Sequence, residues 1–240
     1  MEFLTAPEFW VALGQIILID ILLGGDNAVV IALACRKLPP EQRAKGIIWG
    51  TAGAIILRVV LIMFAMTLLN LPFLKAVGAV LLVWIGVKLI APDEDDHGDV
   101  AGSDKLLAAI KTIIVADLVM SVDNVIAIAG AAQNAGDHST LLVVLGLLIS
   151  IPIIVAGSQL VIKLMGRFPA IVVGGGMLLG WIAGGMLVTD PVFADPAQWQ
   201  WMAKIPQSDT VKYAAAVAGA LLVLAIGKTL AARRPVEQAD

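Results

Sequence analysis

Residues 20–32 read D-I-L-L-G-G-D-N-A-V-V-I-A, and residues 117–129 read D-L-V-M-S-V-D-N-V-I-A-I-A. Asp20, Asp26 and Asn27 recur as Asp117, Asp123 and Asn124 at a constant offset of 97, and the apolar residues after each Asn match too. Each stretch sets two carboxylates and an amide inside an apolar run long enough for a membrane helix. A charge at that depth costs a few kcal/mol on insertion scales. A lone aspartate there reads as a packing contact or a paired ion. A duplicated pair of aspartates, with an Asn beside each second member, points to an ion or proton path.

The repeat extends beyond the motifs. Gly50 and Gly146 hold similar places in the apolar runs that follow, at an offset of 96. About 20 apolar residues cross a bilayer. Seven segments qualify by this measure, at roughly 9–34, 47–69, 72–91, 106–132, 139–163, 168–189 and 212–231. The first motif lies in span one and the second in span four. Three spans per unit is odd, so the halves run in opposite senses. That is the inverted-repeat plan of secondary transporters, whose sites lie near the midplane between repeats. The expected fold class is all-α, a polytopic membrane protein with a 3+3 inverted repeat and one extra helix. The segments are a first three-helix repeat at 1–91, an acidic cytoplasmic loop at 92–105 and a second repeat at 106–189. An external loop at 190–211 and a seventh helix with cytoplasmic tail at 212–240 follow.

Composition agrees with a bilayer as solvent. Of 240 residues, 60% are hydrophobic and 15% charged, and mean hydropathy is +0.94. An average soluble chain is roughly 45–50% apolar and about 25% charged. A soluble enzyme, a disordered tail and a disulfide-framed secreted domain are excluded. Net charge is −3, without the polybasic face that nucleic acid needs. Cys35 is the only cysteine, so no intrachain disulfide and no Cys-based zinc site can form. The stretch from Met1 to Trp10 lacks the basic region of a cleaved signal peptide.

Lys and Arg in short connections set orientation. Arg36, Lys37, Arg43 and Lys45 lie in the first loop, Lys105 in the third, Lys163 and Arg167 in the fifth, and Arg233 and Arg234 in the tail. The opposite side has Lys75, Lys204 and Lys212. Odd loops and the C-terminus are expected in the cytoplasm and the N-terminus outside. Trp10, Trp49, Trp199 and Trp201 fall near the expected interfaces, where amphipathic rings settle. The run Asp93–Asp99 reads as a solvated linker, as charge runs usually are. A metal-collecting vestibule is the sharper alternative.

Asp20 and Asp26 are six residues apart, so on a straight helix their directions differ by about 120°. They converge only if the helix unwinds, and Gly24 and Gly25 between them mark where it would. The second motif has Ser121 and Val122 there, a weaker break signal. Irregular backbone at this depth must be buried or line a wet cavity. Carboxylate and amide oxygens are hard donors, suited to Mg²⁺, Ca²⁺ or Mn²⁺. The expected metal-ligating residues are Asp20, Asp26, Asn27, Asp117, Asp123 and Asn124. Met120 could add a soft thioether that favours Mn²⁺, or simply fill a packing gap. Arg58, central in the second span, is the expected charge-compensating residue. It should face the cavity, pair with motif carboxylates, and release them as a metal enters. Four aspartates and one arginine carry −3, which a dication and one proton would neutralise. Gly176, Gly180 and Gly184 recur at four-residue spacing in span six and read as close helix packing.

The two D-x5-D-N motifs, the seven spans and G-W-I-A-G-G-M-L-V-T-D at 180–190 together resemble the TerC family of integral membrane proteins. The likeness covers nearly the whole chain. It implies manganese export and, historically, tellurium resistance, and kinship with the LysE-like exporters of 3+3 inverted repeats. The second motif departs from the first in carrying Ser-Val for Gly-Gly. The expected function is a secondary transporter moving a divalent cation, Mn²⁺ foremost, out of the cytoplasm, with proton coupling. No Walker motif is present for ATP. Mn²⁺ is cargo, and no tightly bound cofactor is expected. The partners are a divalent metal ion and the lipid bilayer, with no nucleic acid and with a homo-oligomer left open. The bacterial plasma membrane is the expected location. The alternative is a non-transporting membrane scaffold of a metal- or tellurite-stress complex. An enzyme is not expected: H-E-x-x-H is missing, and an aspartyl protease would leave the duplicated Asn unexplained.

Overall fold

The computed structural model describes residues 7–64, 71–91, 102–133, 139–194 and 205–232. Every regular element among them is helical: α1 (Pro7–Leu23), α2 (Gly25–Cys35), α3 (Pro40–Met63), α4 (Leu74–Ile90), α5 (Gly102–Gln133), α6 (Ser139–Arg167), α7 (Ala170–Val188), the single turn α8 (Pro191–Ala194) and α9 (Asp209–Ala232). Asp93–Asp99, Trp199, Trp201, Arg233 and Arg234 lie outside the described residues.

Among the described residues, four helices are long and apolar enough to cross a membrane: α3, α6, α7 and α9. The α1–α2 pair, bent by 48°, makes a fifth candidate span. α4 has 17 residues, about 25 Å at 1.5 Å each, short of the roughly 20 residues of an upright crossing. α5 has 32 residues and carries Asp117 and Asp123 within its apolar run. Among the described residues the protein is thus all-helical, with four to five candidate membrane spans by length and apolarity.

Helix ends follow local chemistry. α3 begins at Pro40, seven residues before the apolar run expected at 47. Pro39 is extended and Pro40 stands in the first turn, where a missing N–H costs nothing. Arg43 folds back over the preceding turn, donating from Nε to Leu38 O at 2.8 Å and from Nη2 to Arg36 O at 3.0 Å. It therefore satisfies the open carbonyl of Arg36, which caps α2, and that of Leu38 in the turn that follows.

The chain divides into two compact units, Met1–Asn70 with Gly102–Leu164, and Leu71–Ala101 with Met165–Asp240. Neither unit is one half of the sequence repeat. The first takes α1, α2 and α3 from one half and α5 and most of α6 from the other. The second takes α4 and α7, joined by α8 and α9.

In the first unit, Phe9, Ala12, Leu13 and Ile16 of α1 pack with Leu142, Val143 and Leu147 of α6. Gly146 makes room: a Cβ there would lie 2.4 Å from Ile16 Cγ2. On the other side, a Cβ at Gly50 of α3 would lie 2.5 Å from Ile113 Cδ1 of α5. Ile16 and Ile113 are themselves 97 apart in sequence. Each motif helix therefore seats the same isoleucine against the glycine of the other half. Trp10 and Trp49 project outward with other large apolar side chains, as lipid-facing rings do.

The second unit is held by backbone contact. A Cβ at Gly180 of α7 would lie 2.3 Å from Gly219 O of α9, and one at Gly184 would lie 2.0 Å from Ala215 O. A Cβ at Gly176 would lie 2.5 Å from Ile90 Cδ1 of α4. The four-residue spacing is thus a packing stripe. Gly174 and Gly185 meet nothing within 4 Å and take no part. Asp190, fully buried, closes the chain after α7. Its Oδ1 accepts from Phe73 N at 3.1 Å and Val192 N at 3.0 Å, and its Oδ2 accepts from Ala76 N at 3.0 Å. These are the open N–H groups at the starts of α4 and α8.

Candidate functional site

All of the site described here lies within the first unit. α3 presents Thr51, Ala54, Ile55 and Arg58 along one face, at the i, i+3, i+4, i+7 spacing of a helix. Arg58 is 3% exposed. Its Nη1 donates to Asp20 Oδ1 of α1, and its Nη2 donates to Asp117 Oδ1 of α5. Its Nε donates to Ser121 Oγ at 3.0 Å. The Ser121 hydroxyl in turn donates to Asp117 Oδ2 at 3.0 Å, one helical turn back. A planar guanidinium with donors in a fixed fork suits such a site far better than an ammonium. Buried charge is tolerated when it is paired and hydrogen-bonded on every side. The Ser150 hydroxyl donates to Gly146 O at 3.0 Å and also neighbours the Asp20 carboxylate.

The break between α1 and α2 falls at Gly24, at φ −100° and ψ 4°. A Cβ there would meet Asp20 O at 2.3 Å, whereas one at Gly25 meets nothing within 4 Å. Gly24 therefore carries the break, and Gly25 is the first residue of α2. In the second motif, Ser121 and Val122 lie within continuous α5. The break is not duplicated, and the serine at the place of Gly24 serves the ion pair instead.

α2 starts with Asp26 in its first turn, where a carboxylate meets the positive end of the helix dipole. Asp26 Oδ1 accepts from Asn27 N at 2.8 Å. Asp26 stands close enough to act electrostatically on Arg58 and Asp117. Asn27 is buried, and its Oδ1 and Nδ2 have no hydrogen-bond partner among the described residues. Asn124 is half-buried on α5, and the Asp123 side chain lies outside those described. The structure thus joins Asp20, Asp117 and Arg58 directly and sets Asp26 and Asn27 nearby. Among the described residues, no three His, Cys, Asp or Glu side chains gather into a metal-holding group. Asp20 and Asp117 both turn an oxygen to Arg58.

Beside this network lies a pocket lined by Asn27, Thr51, Arg58 and Asp117, with apolar walls that include Ile113 and Ile154. It leaves about 20 Å³ in which the centre of a water-sized sphere can sit. One water needs roughly 10–15 Å³ by that measure. Thr51 is 3% exposed, and its Oγ1 also has no hydrogen-bond partner among the described residues. Sequence reasoning missed it. The available signal was a hydroxyl two turns before Arg58, on the same face of an apolar helix.

Apolar helices around a buried guanidinium–carboxylate network define a polytopic membrane protein with a charged interior site. The chain belongs to the TerC family of integral membrane proteins, whose pattern matches residues 5–235. It is similar to the uncharacterized membrane protein YjbE of Bacillus subtilis (strain 168), with 43% identity over 183 residues, 76% of this chain and 82% of that protein. It is 29% identical over 142 residues to the uncharacterized membrane protein YceF of the same organism, 55% of each chain. The UPF0053 inner membrane protein YgdQ of Escherichia coli (strain K12) is 28% identical over 148 residues, 55% of this chain and 62% of that protein. No solved structure matches the chain.

Proposed function

We propose that the protein is a seven-span secondary transporter that exports a divalent cation, Mn²⁺ foremost, from the cytoplasm in exchange for protons. The observation that carries this reading is the buried Asp20–Arg58–Asp117 network beside a pocket of unpartnered polar atoms. Two carboxylates, Asp20 and Asp117, pair with one guanidinium, and Asp26 lies within electrostatic range of it. That surplus of negative charge draws a cation. Oxygen donors select a hard one.

Arg58 acts as a built-in counter-ion. A dication competes for the oxygens of Asp20 and Asp117, and Arg58 releases them as it binds. Intramembrane ionisable residues commonly mark such paths. The Ile16–Gly146 and Ile113–Gly50 contacts support an inverted repeat, since each half packs on the other through the same pair of residues. The Lys and Arg of the odd loops support a cytoplasmic C-terminus, and the similarity to an inner membrane protein of Escherichia coli supports the plasma membrane as the location.

The test is Mn²⁺ flux into liposomes holding the purified protein, with Asp26→Asn and Asp123→Asn beside the parent. Gradient-driven flux in the parent supports a transporter, and no flux under any cation or proton gradient overturns it in favour of a scaffold. Unchanged flux in both variants removes the site assignment.

A further inference from the structure

Beyond the motif carboxylates, the structure holds polar groups that the ion pair does not use. Asn27 on α2 and Thr51 on α3 are 4% and 3% exposed. Both line the same pocket as Asp117. The Asn27 amide, at both ends, and the Thr51 hydroxyl have no hydrogen-bond partner among the described residues. A buried polar group left unpaired costs about 1–3 kcal/mol, so three such atoms at one pocket call for an occupant.

We propose that Thr51 Oγ1 and Asn27 Oδ1 are neutral-oxygen ligands that, with the Asp117 carboxylate, form the binding half-site for a divalent cation. This rests on the divalent-cation reading above and adds Thr51, which lies outside both motifs. The chemistry is specific. Hydroxyl, amide and carboxylate oxygens are hard donors. The space holds one water-sized body, so an ion must shed most of its hydration to enter. Mg²⁺ does this reluctantly, whereas a larger, more adaptable ion such as Ca²⁺ does so more readily. Arg58 borders the same pocket, so occupancy and its grip on Asp117 compete. Ordered water at this place would contact the same groups without selecting a cation.

The experiment is titration of the purified protein in detergent with Mn²⁺, and in parallel with Ca²⁺ and Mg²⁺, comparing the parent with Thr51→Val, Thr51→Ser and Asn27→Leu. Thermal unfolding of each protein is measured without metal. Val matches Thr in shape and lacks the hydroxyl. Removing an unpaired buried hydroxyl does not lower stability, so T51V should unfold at or above the parent's temperature. Its Mn²⁺ affinity should fall about tenfold, which is 1.4 kcal/mol. T51S should bind within about threefold of the parent. A stabilised protein that binds metal less well is a result no purely structural role produces. Should T51V not fold, N27L reads the same half-site from α2.

Parent-level Mn²⁺ affinity in folded T51V and N27L overturns this inference and leaves the transporter reading standing. A parent that binds no divalent cation overturns both.

Discussion

Asp20 and Asp117 hold the same place in the two sequence repeats, and each takes one terminal nitrogen of the same guanidinium, Arg58. A feature duplicated in sequence is thus joined at a residue that is not duplicated. Ser121 completes the fork by accepting from Nε and donating to Asp117. Removing one partner of a buried pair costs about 3–5 kcal/mol, because a charge is left uncompensated. Arg58→Met should therefore lower thermal stability in detergent sharply. The triple variant Asp20→Asn, Arg58→Met, Asp117→Asn should regain most of it. Arg58→Lys should fall between, since one ammonium cannot span both carboxylates. A triple variant no more stable than Arg58→Met alone would show that the network does not act as a unit.

Gly24 and Gly25 look equivalent in sequence and are not so in structure. A methyl at Gly24 would stand 2.3 Å from the backbone oxygen of Asp20, and one at Gly25 meets nothing within 4 Å. Gly24→Ala must shift the end of α1 and with it the carboxylate on Arg58. A loss of about 1–3 kcal/mol is the scale of such overpacking, with Mn²⁺ flux reduced alongside. Gly25→Ala should stay within about 0.5 kcal/mol of the parent. Paired thermal unfolding and liposome flux measurements decide it. Equal losses at both sites would assign the effect to backbone freedom instead of the contact with Asp20.

Much of this was legible because burial of charge leaves few solutions. An arginine within an apolar span must find carboxylates, and the motifs carry them in the neighbouring apolar runs. Which carboxylates it finds was not legible. That depends on the break at Gly24, which puts Asp20 and Asp26 on different helices. The interleaving of the halves was hidden too. It arises from contacts such as Ile16 with Gly146 and Ile113 with Gly50, far apart in the chain and invisible to local periodicity. The start of α3 at Pro40 extends past the apolar run, because prolines and Arg43 set it and hydropathy does not. Thr51 was missed for a related reason. One hydroxyl in an apolar helix is unremarkable until its neighbours across the pocket are known.

Asp190 directly follows α7, and its position tests whether every buried acid in such a protein must serve the ion. It is fully buried, and three backbone N–H groups from Phe73, Ala76 and Val192 converge on its two oxygens. Phe73 sits there in the left-handed region at φ 63°, a conformation that costs a non-glycine residue about 1–2 kcal/mol. The carboxylate thus fixes the starts of α4 and α8. Asp190→Ala strands those donors at about 1–3 kcal/mol each, so thermal unfolding in detergent should drop well below the parent. Asp190→Asn, which keeps one acceptor oxygen, should fall less. Mn²⁺ affinity of either variant, measured below its unfolding temperature, should match the parent. Lost affinity with unchanged unfolding would make Asp190 an ion ligand and refute the capping role.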